Sequence, residues 1–181
     1  LVGGDGEIIL DDKGQPTGVL NERAQRLVSK FIPTLSLAQR QRALQLALAS
    51  LASLGITSFQ DAGATQADIN LYQEFLSAKQ LTSRVYVMIN GSDPELLASW
   101  MQRGPLIDVD QRMLTVRSIK LVADGALGSR GAWLLEPYSD RAGHNGLPTM
   151  PVSEMQDISH LAYRNGFQIA IHAIGDRANR E

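Results

Sequence analysis

Two short runs in the chain hold side chains suited to chemistry. They are SIKLVAD, residues 118–124, with Lys120 and Asp124, and QIAIHAIGDRANR, residues 168–180, with His172 and Asp176. Histidine occurs three times, at His144, His160 and His172, and cysteine is absent. Disulfides, thiolate zinc sites and a cysteine nucleophile are therefore excluded, and any metal must be held by imidazole, carboxylate or a modified lysine. Side chains alternate along a strand, so Ser118, Lys120, Val122 and Asp124 are expected on one face, and Ile119, Leu121 and Ala123 on the other. By the same rule Gln168, Ala170 and His172 oppose Ile169 and Ile171. The apolar faces suit packing helices, so Lys120 and His172 are expected to converge at one end of a sheet. An inward lysine is costly unless it is explained. Either it pairs with Asp124 or Asp61, or its amine is desolvated, carries a lowered pKa and reacts with carbon dioxide to give a metal-ligating carbamate. His172, taken by itself, reads first as a hydrogen-bonded core residue and only second as a ligand, since no other histidine neighbours it.

The elements that must position these groups are legible. SLAQRQRALQLALASLASLG opens with Ser36 and Gln39 in capping-box spacing, carries Leu37, Leu44, Leu48 and Leu51 at helical intervals, and meets Gly55 at the expected stop. ITSFQDAG reads as a strand ending at Asp61 and Gly63, and Thr65 opens a helix through Ile69, Tyr72 and Leu76. Asp61 there suits a turn or capping role, or a rim position. RVYVMIN is a second strand, followed by a helix with Pro94 in its first turn and Gly104 as its stop. LTVRSIKLVADG and GFQIAIHAIGD are two further strands, with the helical SEMQDISHLAYRNG between them. Four strands alternating with helices predict an α/β fold with a parallel sheet, doubly wound or closed as a barrel. Polar residues and glycines follow each strand, which is where both architectures place their sites. The long connection from Ala126 to Pro151 has the length of a lid or substrate-binding segment.

With 181 residues, 44% of them hydrophobic, and a net charge of −2, the chain suits one sizeable core and has no bias toward nucleic acid or an anionic membrane. No apolar run approaches the roughly 20 residues of a membrane helix. The start, LVGGDGEIIL, lacks the features of a signal peptide, which suggests the cytoplasm, and the missing methionine suggests that the native start lies elsewhere. GALGSRG follows a strand, but its G-x-x-G-x-x-G spacing matches neither dinucleotide-binding nor P-loop patterns.

Four segments, GGDGEIILDDKGQPTGVLNERA, LASLGITSFQDAG, IKLVADGALGSRGAWLLEPYSD and GFQIAIHAIGDRAN, together resemble the metal-dependent amidohydrolase superfamily. The resemblance is to its amidohydrolase-3 branch of YtcJ-like and exoenzyme-regulatory-protein-like hydrolases, and runs from residue 3 to 180 in the expected order. It implies a (β/α)₈ TIM barrel that hydrolyses C–N bonds of small amide-type substrates through a metal-activated water. Lys120 stands at the position of the family's fourth-strand lysine, often carboxylated to bridge two metals, and His172 at that of the fifth-strand ligand. The metal implied is divalent, zinc by family habit. Asp124, Arg130 and Asp176 match motif positions, with implied roles in orienting a ligand, contacting substrate and anchoring a loop. The family's His-x-His pair, a further histidine and an aspartate have no counterpart in this sequence. His144 suits a surface turn, and His160 lies off the Met155, Ile158 and Leu161 helix face, so neither replaces the pair.

The expectation is therefore one partial barrel domain over residues 1–181, with a lead-in of 1–35 and β/α units over 36–181, matching about strands two to five of eight. It reads as an internal fragment of a larger hydrolase, inactive by itself. The alternative is a non-catalytic half-barrel or assembly module without metal. Unpaired edges at ITSFQDAG and QIAIHAIGD would favour a homo-oligomer.

Overall fold

In chain order the elements are β1 (Gly6–Leu10), β2 (Pro16–Glu22), a 3₁₀ turn (Arg23–Gln25), α1 (Arg26–Ser29), α2 (Leu37–Ser53), β3 (Ser58–Ala64) and α3 (Gln66–Ser77). There follow β4 (Arg84–Asn90), α4 (Pro94–Arg103), β5 (Leu106–Asp108), a short turn α5 (Val109–Arg112), β6 (Leu114–Val122), α6 (Val152–Arg164), β7 (Gln168–His172) and α7 (Asp176–Arg180). These come from a computed structural model that describes residues 6–181. The chain divides into two units, one of residues 1–34, 122–155 and 171–181, the other of residues 35–121 and 156–170.

In the second unit, capping chemistry sets the helix starts. The Ser36 hydroxyl accepts from the Gln39 N–H while the Gln39 side chain accepts from the Ser36 N–H, closing the capping box of α2. Thr65 and Asp68 do the same for α3. The Asp93 carboxylate accepts from the Leu96 N–H, and Pro94 fills the first turn of α4, which stops at Gly104 with φ of 79°. These pieces flank a sheet of order β3-β4-β6-β5, with β7 pairing β6. β3 with β4 and β4 with β6 are parallel, whereas the short β5 runs antiparallel to β6, so the sheet is mixed rather than wholly parallel.

One irregularity decides which way Lys120 faces. Along β6 the fully buried residues are Leu114 and Val116, then Ile119 and Leu121, a switch from even to odd positions. Val87 of β4 pairs with Val116, but the next residue, Met88, pairs with Ser118, leaving Arg117 as the extra residue of a bulge. The bulge restores alternation in the opposite phase. Lys120 thus aligns with Asn90 on the side opposite Ile119 and Leu121. The other side is a continuous core in which Val85, Val87, Ile89, Ile69, Phe75 and Trp100 are at most 3% exposed. Trp100 satisfies its indole N–H with the Gln66 side chain at 2.9 Å.

Asp61 differs from its expected place. It sits inside β3, not at its end, and accepts the Tyr72 hydroxyl of α3 at 2.8 Å. The side-chain alternation of β3 turns it toward the helix side with Phe59, whose ring meets Tyr72 edge-on at 6.2 Å. Burial and the Asp61 carboxylate together hold the Tyr72 phenol well above its ordinary pKa.

The first unit begins with a hairpin where the sequence offered only a lead-in. β1 and β2 pair antiparallel, with Ile8 opposite Leu20 and a register shift before Leu10. Asp11 caps the connecting turn by accepting from the N–H groups of Lys13 and Gln15 at 2.9 and 2.8 Å. The connection after β6 is tied to itself: Leu134 N–H reaches Asn145 O at 2.7 Å, Tyr138 N–H reaches His144 O at 2.9 Å, and Thr149 N–H reaches Ala123 O at 2.9 Å. It therefore has the hydrogen bonding of a packed loop. Among the described residues no helix is long and apolar enough to cross a membrane.

Candidate functional site

Asp124 organises the first unit. Its carboxylate is fully buried and accepts three backbone N–H groups. Trp133 and Gly175 donate to Oδ2, each at 2.7 Å, and Ile174 donates to Oδ1 at 2.9 Å. One side chain thus joins the chain after β6, the middle of the long loop and the turn after β7. Burial of a carboxylate is tolerated here because its lone pairs are filled, and the three N–H groups have no strand or helix partner to replace it. His172 closes β7 beside it. Its carbonyl accepts the Ala123 N–H at 2.8 Å, and its Nε2 lies 4.0 Å from Asp124 Oδ1, beyond hydrogen-bond length. The side chain is about a third exposed (36%), and neither ring nitrogen makes a described hydrogen bond.

The turn after β7 grips the loop from the other side. Asp176 Oδ1 accepts from the N–H groups of Leu135 and Arg177, both at 2.9 Å. The Arg177 guanidinium lies 4.7 Å from the centre of the Trp133 ring, a cation–π contact. Two glycines permit this crossing. A Cβ on Gly175 would fall 1.8 Å from the Trp133 carbonyl oxygen, and one on Gly146, whose φ is 78°, would fall 1.8 Å from the Ala132 oxygen. Sequence reading marks Trp133 in the long loop and Gly175 after its strand, but not Gly146 or the crossing itself, because a close approach between loops distant in sequence leaves no local pattern.

Arg130 lies further along the same loop, in a left-handed conformation with φ of 58°. Its guanidinium makes a fork to Asp140, Nε to Oδ1 at 3.1 Å and Nη2 to Oδ2 at 2.8 Å. This pairing holds the Asp140 carboxyl below its usual range. The Arg130 carbonyl lies 2.8 Å from His144 Nε2, and the His144 ring stacks on Tyr138 at 5.8 Å, so His144, whose N–H closes a turn onto the Arg141 carbonyl, also packs against the loop. Arg141 makes a second fork, to Glu7 of β1 at 2.9 and 2.5 Å, and Asn21 of β2 donates to the Ser129 carbonyl at 3.2 Å. The hairpin is thereby clamped to the loop.

The Arg141 hydrogen bonds keep the Glu7 carboxyl below the ordinary glutamate range. A depressed folded-state pKa means that the ion pair contributes in full above the unfolded value, and is lost as pH falls through the folded one. Loop protection in hydrogen exchange is therefore expected to hold at neutral pH and to fall below about pH 4.5. In Glu7→Gln that acid step disappears, and stability at pH 7 drops by roughly 0.5–1 kcal/mol, a value discounted for the pair's partial exposure.

Lys120 belongs to the second unit. Burial lowers its pKa, and no hydrogen bond or ion pair engages its Nζ among the described residues. Neither Asp61, which is turned to Tyr72, nor Asp124, which is filled by backbone donors, pairs with it. The amine is thus free and more readily neutral than an ordinary lysine, the state that reacts with carbon dioxide. Among the described residues no three His, Asp or Glu side chains gather into a metal site. The donor chemistry fits a metal in part: one accessible imidazole and one unpaired, desolvated amine are suitable ligands, fewer than the three that a catalytic zinc takes.

Known proteins bear directly on these residues. The chain is 29% identical over 182 residues to the putative amidohydrolase YtcJ of Bacillus subtilis, covering 96% of this chain and 32% of that protein. It is equally 29% identical over 187 residues to the protein LONG AFTER FAR-RED 3 of Arabidopsis thaliana, covering 96% of this chain and 31% of that one. An uncharacterized metal-dependent hydrolase from Pyrococcus horikoshii superposes with a TM-score of 0.77 at 27% identity, over 94% of this chain and 34% of its own. The chain spans about a third of the length of these relatives. Residues 3–180, which include Lys120, Asp124, Arg130, His172 and Asp176, match the amidohydrolase family, and the chain belongs to that family.

Proposed function

We propose that this chain is the part of a metal-dependent hydrolase that contributes Lys120 and His172 to a divalent metal centre, and that the whole protein cleaves C–N bonds of small amide-type substrates. The observation that carries the reading is the free, desolvated Lys120 amine, in a family whose solved relative is described as a metal-dependent hydrolase. The fold proposed is a (β/α)₈ barrel, of which β3, β4, β6 and β7 represent about the second to fifth strands. Zinc is the metal proposed, and a carboxylated Lys120 its ligand.

When bound, a divalent ion supplies Lewis acidity and a nucleophilic water at neutral pH. The chain's own residues do the positioning. Asp124 holds the turn after β7 through Ile174 and Gly175, and so fixes the backbone that carries His172. Asp176 and Arg177 hold Trp133 and Leu135 in place as a wall of the loop. Arg130, paired with Asp140, is proposed to contact substrate, and Lys120, once carbamylated, turns from a cation into an oxygen donor.

Two matched ligands are too few for turnover. The 181-residue chain alone, supplied with zinc, is expected to hydrolyse no member of an N-acyl amino acid and cyclic amide panel. A longer protein that contains this sequence and the remaining ligands is expected to hydrolyse one and to lose that activity to a chelator. Turnover by the chain alone that vanishes in His172→Ala would show that its ligand set is complete without them.

A further inference from the structure

The bulge that turns Lys120 leaves a second cation without a partner. Arg117, the extra residue of β6, has its Nε buried and bonded to nothing among the described residues. It lines a cavity of about 810 Å³ together with Gln60, Tyr86, Met88, Tyr163 and Gln168, all within the second unit. No aspartate or glutamate lines that cavity. Tyr86 donates its hydroxyl to Gln168 Oε1, which commits the amide's acceptor and leaves its NH₂ group to act as a donor. Burial raises the Tyr86 pKa while the Arg117 charge pulls it down, as expected of a cation close to the ring's hydroxyl.

The cavity therefore has a surplus of donors. A buried guanidinium N–H left unpaired is costly, and arginine stays charged at every ordinary pH, so the charge cannot be shed to relieve the cost. The group that meets a guanidinium fork is a planar two-oxygen anion. Met88 and the tyrosine rings beside it favour an apolar group attached to that anion. We infer that this cavity is a carboxylate site, centred on Arg117 and taking a carboxylate with a short apolar tail, either as a free molecule or as a side chain of a second copy of the chain. Ser118, Gln168 and Ala170 of the lining belong to the strands that carry Lys120 and His172, but the test of this site does not depend on the metal reading.

The experiment is an NMR titration of the arginine-labelled 181-residue chain, following the Arg117 Nε–Hε resonance. Hexanoate is expected to shift it saturably, hexanamide is not, and Arg117→Met is expected to lack the responding signal. If Arg117→Met does not fold, the comparison of hexanoate with hexanamide on the unaltered chain still decides. Dilution separates the two sources. A resonance position that follows protein concentration in step with sedimentation, and is reset by hexanoate, assigns the carboxylate to a second copy. A position independent of concentration assigns it to a free ligand. The inference is overturned if hexanamide acts as hexanoate does, or if neither hexanoate nor protein concentration moves the resonance.

Discussion

Asp124→Ala is expected to destabilise the chain by about 3–6 kcal/mol, because it strands three backbone N–H groups, one buried and two part-buried, at roughly 1–3 kcal/mol each, with some relief from water. That is a large part of the 5–15 kcal/mol that typically holds a domain together. The three donors belong to Trp133, Ile174 and Gly175, so the loss should appear in two segments distant in sequence. Hydrogen exchange at those amides should rise together, and the near-ultraviolet circular dichroism of Trp133 should weaken. Asp124→Asn keeps the size and one acceptor oxygen but presents an NH₂ group toward donors, so it should recover only part of the loss. Urea unfolding gives the magnitude, and a cost below about 1 kcal/mol for the alanine variant would remove Asp124 from its organising role.

Gly175→Ala is the second large effect. The added methyl would stand 1.8 Å from the Trp133 carbonyl oxygen and 2.4 Å from its carbon, and both are backbone atoms that cannot swing aside. Relief requires the turn after β7 to part from the loop, which breaks the Gly175 bond to Asp124 at the same time. A cost of about 3 kcal/mol or more is expected, the upper range for forced overpacking. Gly128→Ala is the control in the same loop, since nothing lies within 4 Å of its Cβ position and its φ is not positive. It should change stability by less than about 0.5 kcal/mol. Equal costs for the two variants would show that the crossing of loop and turn is not the constraint described here.

What sequence reading reached, and what it missed, divide along the range of the interactions. Ser36 with Gln39, Thr65, Pro94 and Gly104 act within one helical turn, and the structure has caps and stops at each of them. The strands at β3, β4, β6 and β7 were visible as β-branched and aromatic runs between polar turns. Arg117 was not visible as a bulge, because one extra residue is defined only against the partner strand, through Val87 and Met88. The hairpin of β1 and β2 was passed over in a polar, glycine-bearing segment whose alternation is weak. Asp61 reads from sequence as a turn, capping or rim residue because the strand is ended too early; the strand runs on to Ala64. Asp124 stood out as a motif residue, yet its partners lie 9, 50 and 51 positions away, where no spacing rule applies.

The proposal that Lys120 and His172 are metal ligands is tested most directly by metal content. The measurement is elemental analysis of the longest purified protein carrying this sequence, compared with its Lys120→Ala and His172→Ala variants. Circular dichroism would confirm that each is folded. The Lys120 side chain makes no described bond, and the His172 side chain is about a third exposed, so neither substitution should carry the structural cost of Asp124→Ala. The account predicts that the unaltered protein retains divalent metal through dialysis, and that each folded variant loses most of it. Full retention of metal in both folded variants would contradict the assignment of these two residues as ligands.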